Sequence, residues 1–431
     1  MQYTELKTLK KVSFHTLGCR LNFSESGSIT QGFVDRGFEI VEFGEPADVV
    51  FLNTCTVTDG ADASCRQLIR KAKNSSPSGK IVVAGCYAQM EADKIKAMEG
   101  VDLILGNQEK YKIFDYLHFD NPHVAIEKNW DFQPAATTLA DSHTRAFLKI
   151  QDGCNYVCSF CIIPFARGRS RTITIEDAVQ EAKKLINQGF KEIVLTGVNI
   201  GEYESTSGQK LASLVEDILN LNELARLRLS SVEPNTINAE LLEVLKKSGK
   251  YQDHFHIPLQ SGSDKILTSM RRKYSRAQYV ETLKLVKSYF PHASIGADII
   301  VGYPGETEED FNETFKLLRD HPVTHFHVFP YSKRKGTTAS KLGDQVSSAV
   351  KKERVRTLIM LGKAKLNEFA QNKIGSTSQV LFEKNNDGIV NGYTPEFIKV
   401  QLKTEAELAN QILPVKLESF NGDFFRGSLI S

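Results

Sequence analysis

Six of the seven cysteines fall into two sets of three whose placement suits metal chemistry. The tighter set lies in Asp152-Gly153-Cys154-Asn155-Tyr156-Val157-Cys158-Ser159-Phe160-Cys161, a C-x3-C-x2-C array directly after an apolar, strand-like run at 146–150. Three thiolates on one short loop can hold three irons of a 4Fe-4S cluster and leave the fourth iron open to chelate a small molecule. Zinc is the competing reading, but a zinc site normally takes a fourth Cys or His close by, and this loop offers none. Gly153 and Asn155 suit a tight turn that aims backbone N–H groups at cluster sulfides.

The second set is dispersed. Cys19, Cys55 and Cys86 each follow a strand candidate, at 12–16, 49–53 and 81–84. In a parallel α/β sheet the carboxyl ends of the strands share the edge where ligands bind, so the three should converge. A lone cysteine is more often a buried apolar residue; repetition at three strand ends favours a second cluster with one open iron. Gly18 and Gly85 would permit close backbone approach. Cys65 sits inside a helical stretch and reads as a structural thiol. His254 with His256, and His325 with His327, alternate on predicted strands, so each pair points to one face and imitates a metal site; packed or ligand-facing histidines are the expectation.

The elements that must position these residues follow an α/β pattern. Up to about residue 100, apolar runs at 12–15, 49–52 and 81–84 alternate with amphipathic stretches at 24–36 and 59–73, as in a parallel sheet. A less regular segment suggests a boundary near 130–142. Six further strand candidates, at 146–150, 192–196, 226–230, 254–258, 294–300 and 325–329, alternate with helical stretches at 175–188, 239–247, 277–289 and 308–319, which fits an open six-unit version of the (β/α) barrel. A basic amphipathic helix over 348–372 precedes short segments at 379–383, 397–401 and 413–417, and the turn signals Asn386-Asp387-Gly388, Asn391-Gly392 and Asn421-Gly422 predict a small all-β barrel. The fold class is thus α/β, with a parallel-sheet unit over 1–135 and a partial barrel over 140–370, followed by a small all-β barrel over 373–431.

Composition narrows the function classes. An odd number of cysteines and a polar start, MQYTELKTLKK, argue against a disulfide framework and an export signal, and no run approaches the roughly 18 apolar residues of a membrane span. A cytoplasmic location is expected. With a net charge of +2 the whole molecule is not a basic nucleic-acid binder, but Arg167, Arg169 and Arg171, then Arg271 to Lys273, then Lys333 to Lys335, form local clusters suited to phosphates.

The run DGCNYVCSFCIIPFARGRSR, Asp152 to Arg171, resembles the signature of radical S-adenosylmethionine enzymes and, in its extension, the methylthiotransferase subgroup. TLGCRLN from Thr16, NTCTVT from Asn53, AGCYAQ from Ala84, LTGVNIG from Leu195, SSVEP from Ser230, HIPLQSGS from His256 and GADIIVGYPGET from Gly296 extend the resemblance over essentially the whole chain. TLGCRLN and LTGVNIG are most similar to the branch acting on threonylcarbamoyladenosine beside the anticodon. Branches acting on isopentenyladenosine or on a ribosomal-protein aspartate are the alternatives.

The resemblance implies an auxiliary 4Fe-4S cluster on Cys19, Cys55 and Cys86, and a second 4Fe-4S cluster on Cys154, Cys158 and Cys161 that binds S-adenosylmethionine. It implies a radical SAM partial barrel, a C-terminal RNA-binding barrel of the TRAM type, and methylthiolation of adenine C2 with two S-adenosylmethionine molecules. Gly197, Asn199, Ser231, Glu233, Gln260, Asp298 and Val301, at strand carboxyl ends, are the candidate cofactor-lining residues, with Glu233 and Gln260 as hydrogen-bonding groups. The expected partners are the tRNA anticodon loop, an electron donor of the flavodoxin or ferredoxin type and a sulfur-supply system. The chain is taken as a monomer, although the sequence carries no signal of its oligomeric state. A non-catalytic iron–sulfur electron carrier would explain both cysteine sets but not the six-unit barrel.

Overall fold

The computed structural model describes residues 11–119, 122–128, 130–137 and 144–430, apart from the side chains of Asp59 and Asn386. Residues 138–142 of the segment expected to hold the first boundary therefore lie outside the described residues.

The N-terminal unit is a six-stranded parallel sheet in the order β2-β1-β3-β4-β5-β6. Its strands are β1 (Lys11–Thr16), β2 (Glu39–Val41), β3 (Val49–Thr54), β4 (Lys80–Gly85), β5 (Leu103–Leu105) and β6 (His123–Ala125). Three helices, α1 (Arg20–Val34), α2 (Asp59–Ser75) and α3 (Cys86–Lys96), return the chain between them. Val50, Leu52 and Val83 meet Cys65 and Ile69 of α2 on one face, while Val49, Phe51 and Val82 meet Ile29 and Phe33 of α1 on the other. Burial on both faces explains why β3 and β4 read as unbroken apolar runs, not as alternating strands. The three-residue strands β2, β5 and β6 are too short to show a period and were not expected.

The central unit contains six parallel strands in chain order: β7 (Arg145–Lys149), β10 (Glu192–Thr196), β11 (Arg226–Leu229), β12 (His254–His256), β13 (Ser294–Val301) and β14 (His325–Pro330). They form two triplets, β11-β10-β7 and β12-β13-β14, joined where Leu227 bridges to Tyr251. A two-residue ladder, β8 (Gln151–Asp152) with β9 (Arg171–Thr172), frames the cysteine loop. The covering helices are α5 (Ile175–Asn187), α6 (Leu211–Leu219), α7 (Ala239–Lys247), α9 (Arg276–Tyr289) and α10 (Glu308–Asp320); the short α4 (Ile163–Arg167) and α8 (Asp264–Ser269) lie in connections. The barrel stays open between β7 and β14. There α1 of the first unit packs on β7, and α11 (Ser348–Gln371) packs on β14.

The C-terminal unit is a closed barrel in the order β15-β16-β17-β19-β18. It is built from β15 (Thr377–Asn386), β16 (Ile389–Tyr393), β17 (Lys399–Lys403), β18 (Ile412–Phe420) and β19 (Phe425–Leu429). Asp387 and Gly388, at φ 54° and 77°, make the expected hairpin turn. Asn391-Gly392, read as a turn, instead lies within β16: a Cβ at Gly392 would stand 2.5 Å from Val380 Cγ1, so this glycine serves close strand packing. The barrel is not an independent appendage. Its loop Thr394–Phe397 enters the amino-terminal mouth of the central barrel, where Arg228 donates to the Thr394 and Pro395 carbonyls and Ser294 Oγ to the Glu396 carbonyl. Among the described residues no helix is long and apolar enough to cross a membrane.

Candidate active site

Strand ends bring the dispersed cysteines together as the sheet geometry requires. Cys19 precedes α1, Cys55 follows β3 and Cys86 opens α3. Cys55 feels the charges of Cys86 and Cys19, and Cys19 feels that of Cys86. Gly18, at φ +101°, is obligatory here, because a Cβ would stand 2.8 Å from Cys55 Cβ and 2.9 Å from its sulfur. Asn22 braces the site by donating to the Leu17 and Thr54 carbonyls, and Asn107 Nδ2 lies 3.6 Å from Cys86 Sγ. Cys65 keeps out of the trio; its buried thiol donates to the Cys55 carbonyl and holds that loop, the structural part expected of it.

The Cys154 loop is clamped from below. Gln151, fully buried, donates through Nε2 to the Gly153 carbonyl at 2.7 Å and accepts at Oε1 from the amides of Val198 and Asn199, both at 2.9 Å. Ser159 is held by Tyr303 Oη at 2.8 Å and by the Ser269 carbonyl at 2.8 Å. The Tyr156 amide donates to Cys154 Sγ at 3.4 Å, and the Arg272 guanidinium donates to Cys158 Sγ at 3.1 Å while pairing with Glu233. Burial pushes the Cys55 and Cys161 thiols up to about 12 and Cys154 to about 11, so cationic iron is needed to hold them as thiolates. Three sulfurs per set, glycine-cleared space and N–H donors aimed at sulfur fit an iron–sulfur cluster in each.

Gly153 is the tightest point of this loop. Its φ is +69°, and a Cβ would fall 2.0 Å from the Arg169 carbonyl oxygen. Gly153→Ala is expected to open the loop and lower the iron content by about four per chain, one cluster's complement; an unchanged anaerobic iron count would show the loop tolerates the side chain.

Both cysteine sets border one cavity of about 650 Å³, with Cys19 and Cys55 on one wall and Cys161 on another. Gly197, Ser231, Gln260 and Asp298 line it, as the strand-end argument expects. Asn199 and Glu233 do not; they stand behind the loop, Asn199 donating to Glu202 at 3.2 Å and Glu233 bound to Arg272. Val301 packs in the barrel core at 1% exposure and is not among the lining residues. Sequence reasoning passed over Arg20 as a lining group, while His256 and His327, expected to be packed or ligand-facing, also line the cavity. The histidines hold the Asp298 carboxyl below its usual range against the opposing effect of burial, His256 Nε2 lying 3.1 Å from it. Behind this wall His254 and His325 are packed, bonded to Ser294 and Thr324, and burial keeps them neutral.

Comparison with known proteins agrees with this arrangement. Residues 148–318 match the model of the radical SAM superfamily, and residues 11–106 match an uncharacterized protein family, UPF0004. The chain is 39% identical to the threonylcarbamoyladenosine tRNA methylthiotransferase MtaB of Bacillus subtilis, over 94% of this chain and 93% of that one. It belongs to the radical SAM tRNA methylthiotransferases. A second member, the tRNA-2-methylthio-N(6)-dimethylallyladenosine synthase of Fusobacterium nucleatum, is 34% identical over 95% of this chain and 97% of that one. The fold also resembles the radical S-adenosylmethionine methyltransferase TsrM of Kitasatospora setae, with a TM-score of 0.55 and 14% identity over 77% of each chain.

As a member of this family the protein is an enzyme that methylthiolates tRNA, and its cofactors are 4Fe-4S clusters and S-adenosylmethionine. The methylthiotransferase chain spends its basic clusters differently from the expectation that they all meet RNA. In each, one arginine turns inward: Arg167 to Glu25 and Asp152, Arg272 to Glu233, Arg334 to Asp62. Arg171 also pairs with Asp152, at 2.9 Å. Arg169, Arg271, Lys333 and Lys335 remain exposed, as does Lys273, whose ammonium lies 4.0 Å from the centre of the Tyr156 ring; exposed cations of this kind suit phosphate contacts.

Proposed function

We propose that the protein places a methylthio group on C2 of N6-threonylcarbamoyladenosine, the nucleoside 3′-adjacent to the anticodon, and consumes two S-adenosylmethionine molecules, one as methyl donor and one as radical source. The observation that carries this reading is that one cavity is bordered by members of both cysteine trios, Cys19 and Cys55 of one and Cys161 of the other. A target carbon held there can reach both sets without leaving the site. Three relatives named MtaB reach 38–39% identity, against 32–34% for the dimethylallyladenosine enzymes, and although two further MtaB sequences stand at 31% and 33%, the higher matches support the threonylcarbamoyl substrate.

Bound in this cavity, the clusters and S-adenosylmethionine supply the one-electron chemistry that removes hydrogen from an unactivated aromatic carbon and the methylated sulfur that replaces it. The protein's residues hold and position. Cys154, Cys158 and Cys161 bind one cluster and Cys19, Cys55 and Cys86 the other. Gly197, Ser231, Gln260 and Asp298 border the space for the nucleoside cofactor, while Gln151 and Tyr303 fix the loop against the barrel. Phe160, Ile162, Ile163 and Ile300 give the cavity apolar walls that exclude water from reactive species. Exposed basic residues and the terminal barrel contact the RNA backbone, so affinity falls with rising salt, and a loop nucleotide enters the site at low unstacking cost. A flavodoxin- or ferredoxin-type donor and a sulfur-supply system serve the clusters.

The test is anaerobic incubation of reconstituted protein with reductant, S-adenosylmethionine and anticodon stem-loops carrying either threonylcarbamoyladenosine or dimethylallyladenosine, followed by mass spectrometry of the nucleosides. The methylthio product is expected from the first RNA. Product from the second RNA alone would reassign the substrate.

A further inference from the structure

The two substrates named for these relatives differ in charge. Threonine joined to adenosine through its nitrogen keeps a free carboxylate, whereas a dimethylallyl group is neutral. Of the described residues that line the cavity, Arg20 alone carries a fixed positive charge, and it directly follows Cys19.

Arg20 has company but no partner. Arg145 and Arg228 stand close enough to repel it, yet both are committed: Arg145 to Glu383 at 3.1 Å, Arg228 to Glu192 at 2.8 Å and to two carbonyls. Among the described residues Arg20 makes no hydrogen bond or ion pair; its guanidinium carbon lies 5.5 Å from the centre of the Phe397 ring. The carboxylates that act on it do so without bonding contact: Glu192 is committed to Arg228, and Asp298 to His256 and His327. A partly buried guanidinium with no carboxylate at bonding distance leaves its hydrogen-bonding fork unused. The planar fork suits a carboxylate held by two parallel hydrogen bonds. Ser230 Oγ, buried on the same cavity wall and without a hydrogen-bond partner among the described residues, is a further polar group left for a ligand.

We propose that Arg20 is the substrate-selecting residue of the cavity and binds the threonine carboxylate of threonylcarbamoyladenosine, an assignment that rests on the substrate reading above. Arg20 follows Cys19 in the chain, but its guanidinium reaches toward Phe397 at the barrel end away from the cysteine sets, so a nucleoside anchored there by its N6 substituent keeps its ring in the part of the cavity that the cysteines border.

The test compares wild-type, Arg20→Gln and Arg20→Lys holoenzymes on three anticodon stem-loops: threonylcarbamoyladenosine, its threonine methyl ester and dimethylallyladenosine. Wild type is expected to favour the acid over the ester by about 10- to 100-fold in kcat/KM, what a charge-assisted pair contributes. Arg20→Gln should lose that preference and Arg20→Lys keep part of it. The acid-to-ester ratio is internal to each protein, so partial cluster loss cancels, and the wild-type comparison stands even if a variant fails to load iron. A wild-type enzyme indifferent to esterification, or an Arg20→Gln enzyme that keeps the preference, overturns the proposal. So does a variant weakened equally on all three RNAs, since the anion at Arg20 would then be a phosphate. Wild-type activity on the dimethylallyl RNA alone would instead remove the substrate reading itself, and this assignment with it.

Discussion

Replacing Cys158 with alanine is expected to abolish both reductive cleavage of S-adenosylmethionine and modification of tRNA, whereas Cys86→Ala is expected to abolish only the modification. The division follows from the geometry. Cys158 sits on the barrel loop, its sulfur 3.1 Å from the Arg272 guanidinium, while Cys86 lies at the β4 end of the other unit beside Asn107. Each set has only three thiols, so removing one takes away a ligand, not a supporting contact. Loss of an outer-sphere partner typically costs 10–100-fold, and the loss here should exceed about 100-fold for the step each cluster serves. Deoxyadenosine and methylthiolated nucleoside, counted separately after anaerobic turnover, report the two steps. Deoxyadenosine formed by Cys158→Ala would remove the loop from the reductive step; product formed by Cys86→Ala would remove the strand-end trio from sulfur insertion.

The cysteines were legible because each obeys a local rule: a loop after a strand, or the end of a strand in a parallel sheet. The six barrel strands and most of their helices were legible for a similar reason, since their apolar runs are long enough to reveal themselves. What escaped detection depends on the approach of two units. Arg167, counted among phosphate-seeking arginines, is 1% exposed because Glu25 of α1 meets it across the junction of the two α/β units. Nothing near either residue announces a partner 142 positions away. Arg20 was quoted inside a motif, but its place in the cavity depends on α1 packing against the open side of the barrel. Phe397, at φ +63°, looked like the start of a strand; it belongs to the loop that fills the barrel mouth. Gln151 carries the one missed signal that was local, a polar residue at the end of an apolar strand, immediately before the cysteine motif.

The same junction supplies the largest expected effect on stability. Glu25, fully buried, accepts from Lys110 at 2.6 Å, from Lys149 at 3.1 Å and from Arg167 at 2.8 and 3.0 Å. Asp152 takes Lys149, Arg167 and Arg171. Four cations thus face two carboxylates, and the positive excess lies near Cys86, whose charge Arg167 feels. Glu25→Ala would leave three buried cations without their shared acceptor. Breaking such a set costs about 3–5 kcal/mol, which in a protein of this size lowers the melting temperature by roughly 3–6 °C. The loss should be larger in apoprotein than in cluster-loaded protein, because anionic sulfur ligands offset part of the stranded charge. The pH dependence has a definite sign. Burial alone would raise the Glu25 carboxyl, but Arg167, Lys110 and Lys149 outweigh it and hold the carboxyl well below its usual range. A depressed carboxylate stabilises the fold fully above its unfolded value, about 4.3, and progressively less as acid takes the pH below that. Melting curves of wild-type and Glu25→Ala apoprotein should therefore differ by a constant amount near neutrality and converge in acid. A gap that persists unchanged below about pH 4.3 would mean that α1 depends on Glu25 for its packing and not for its charge.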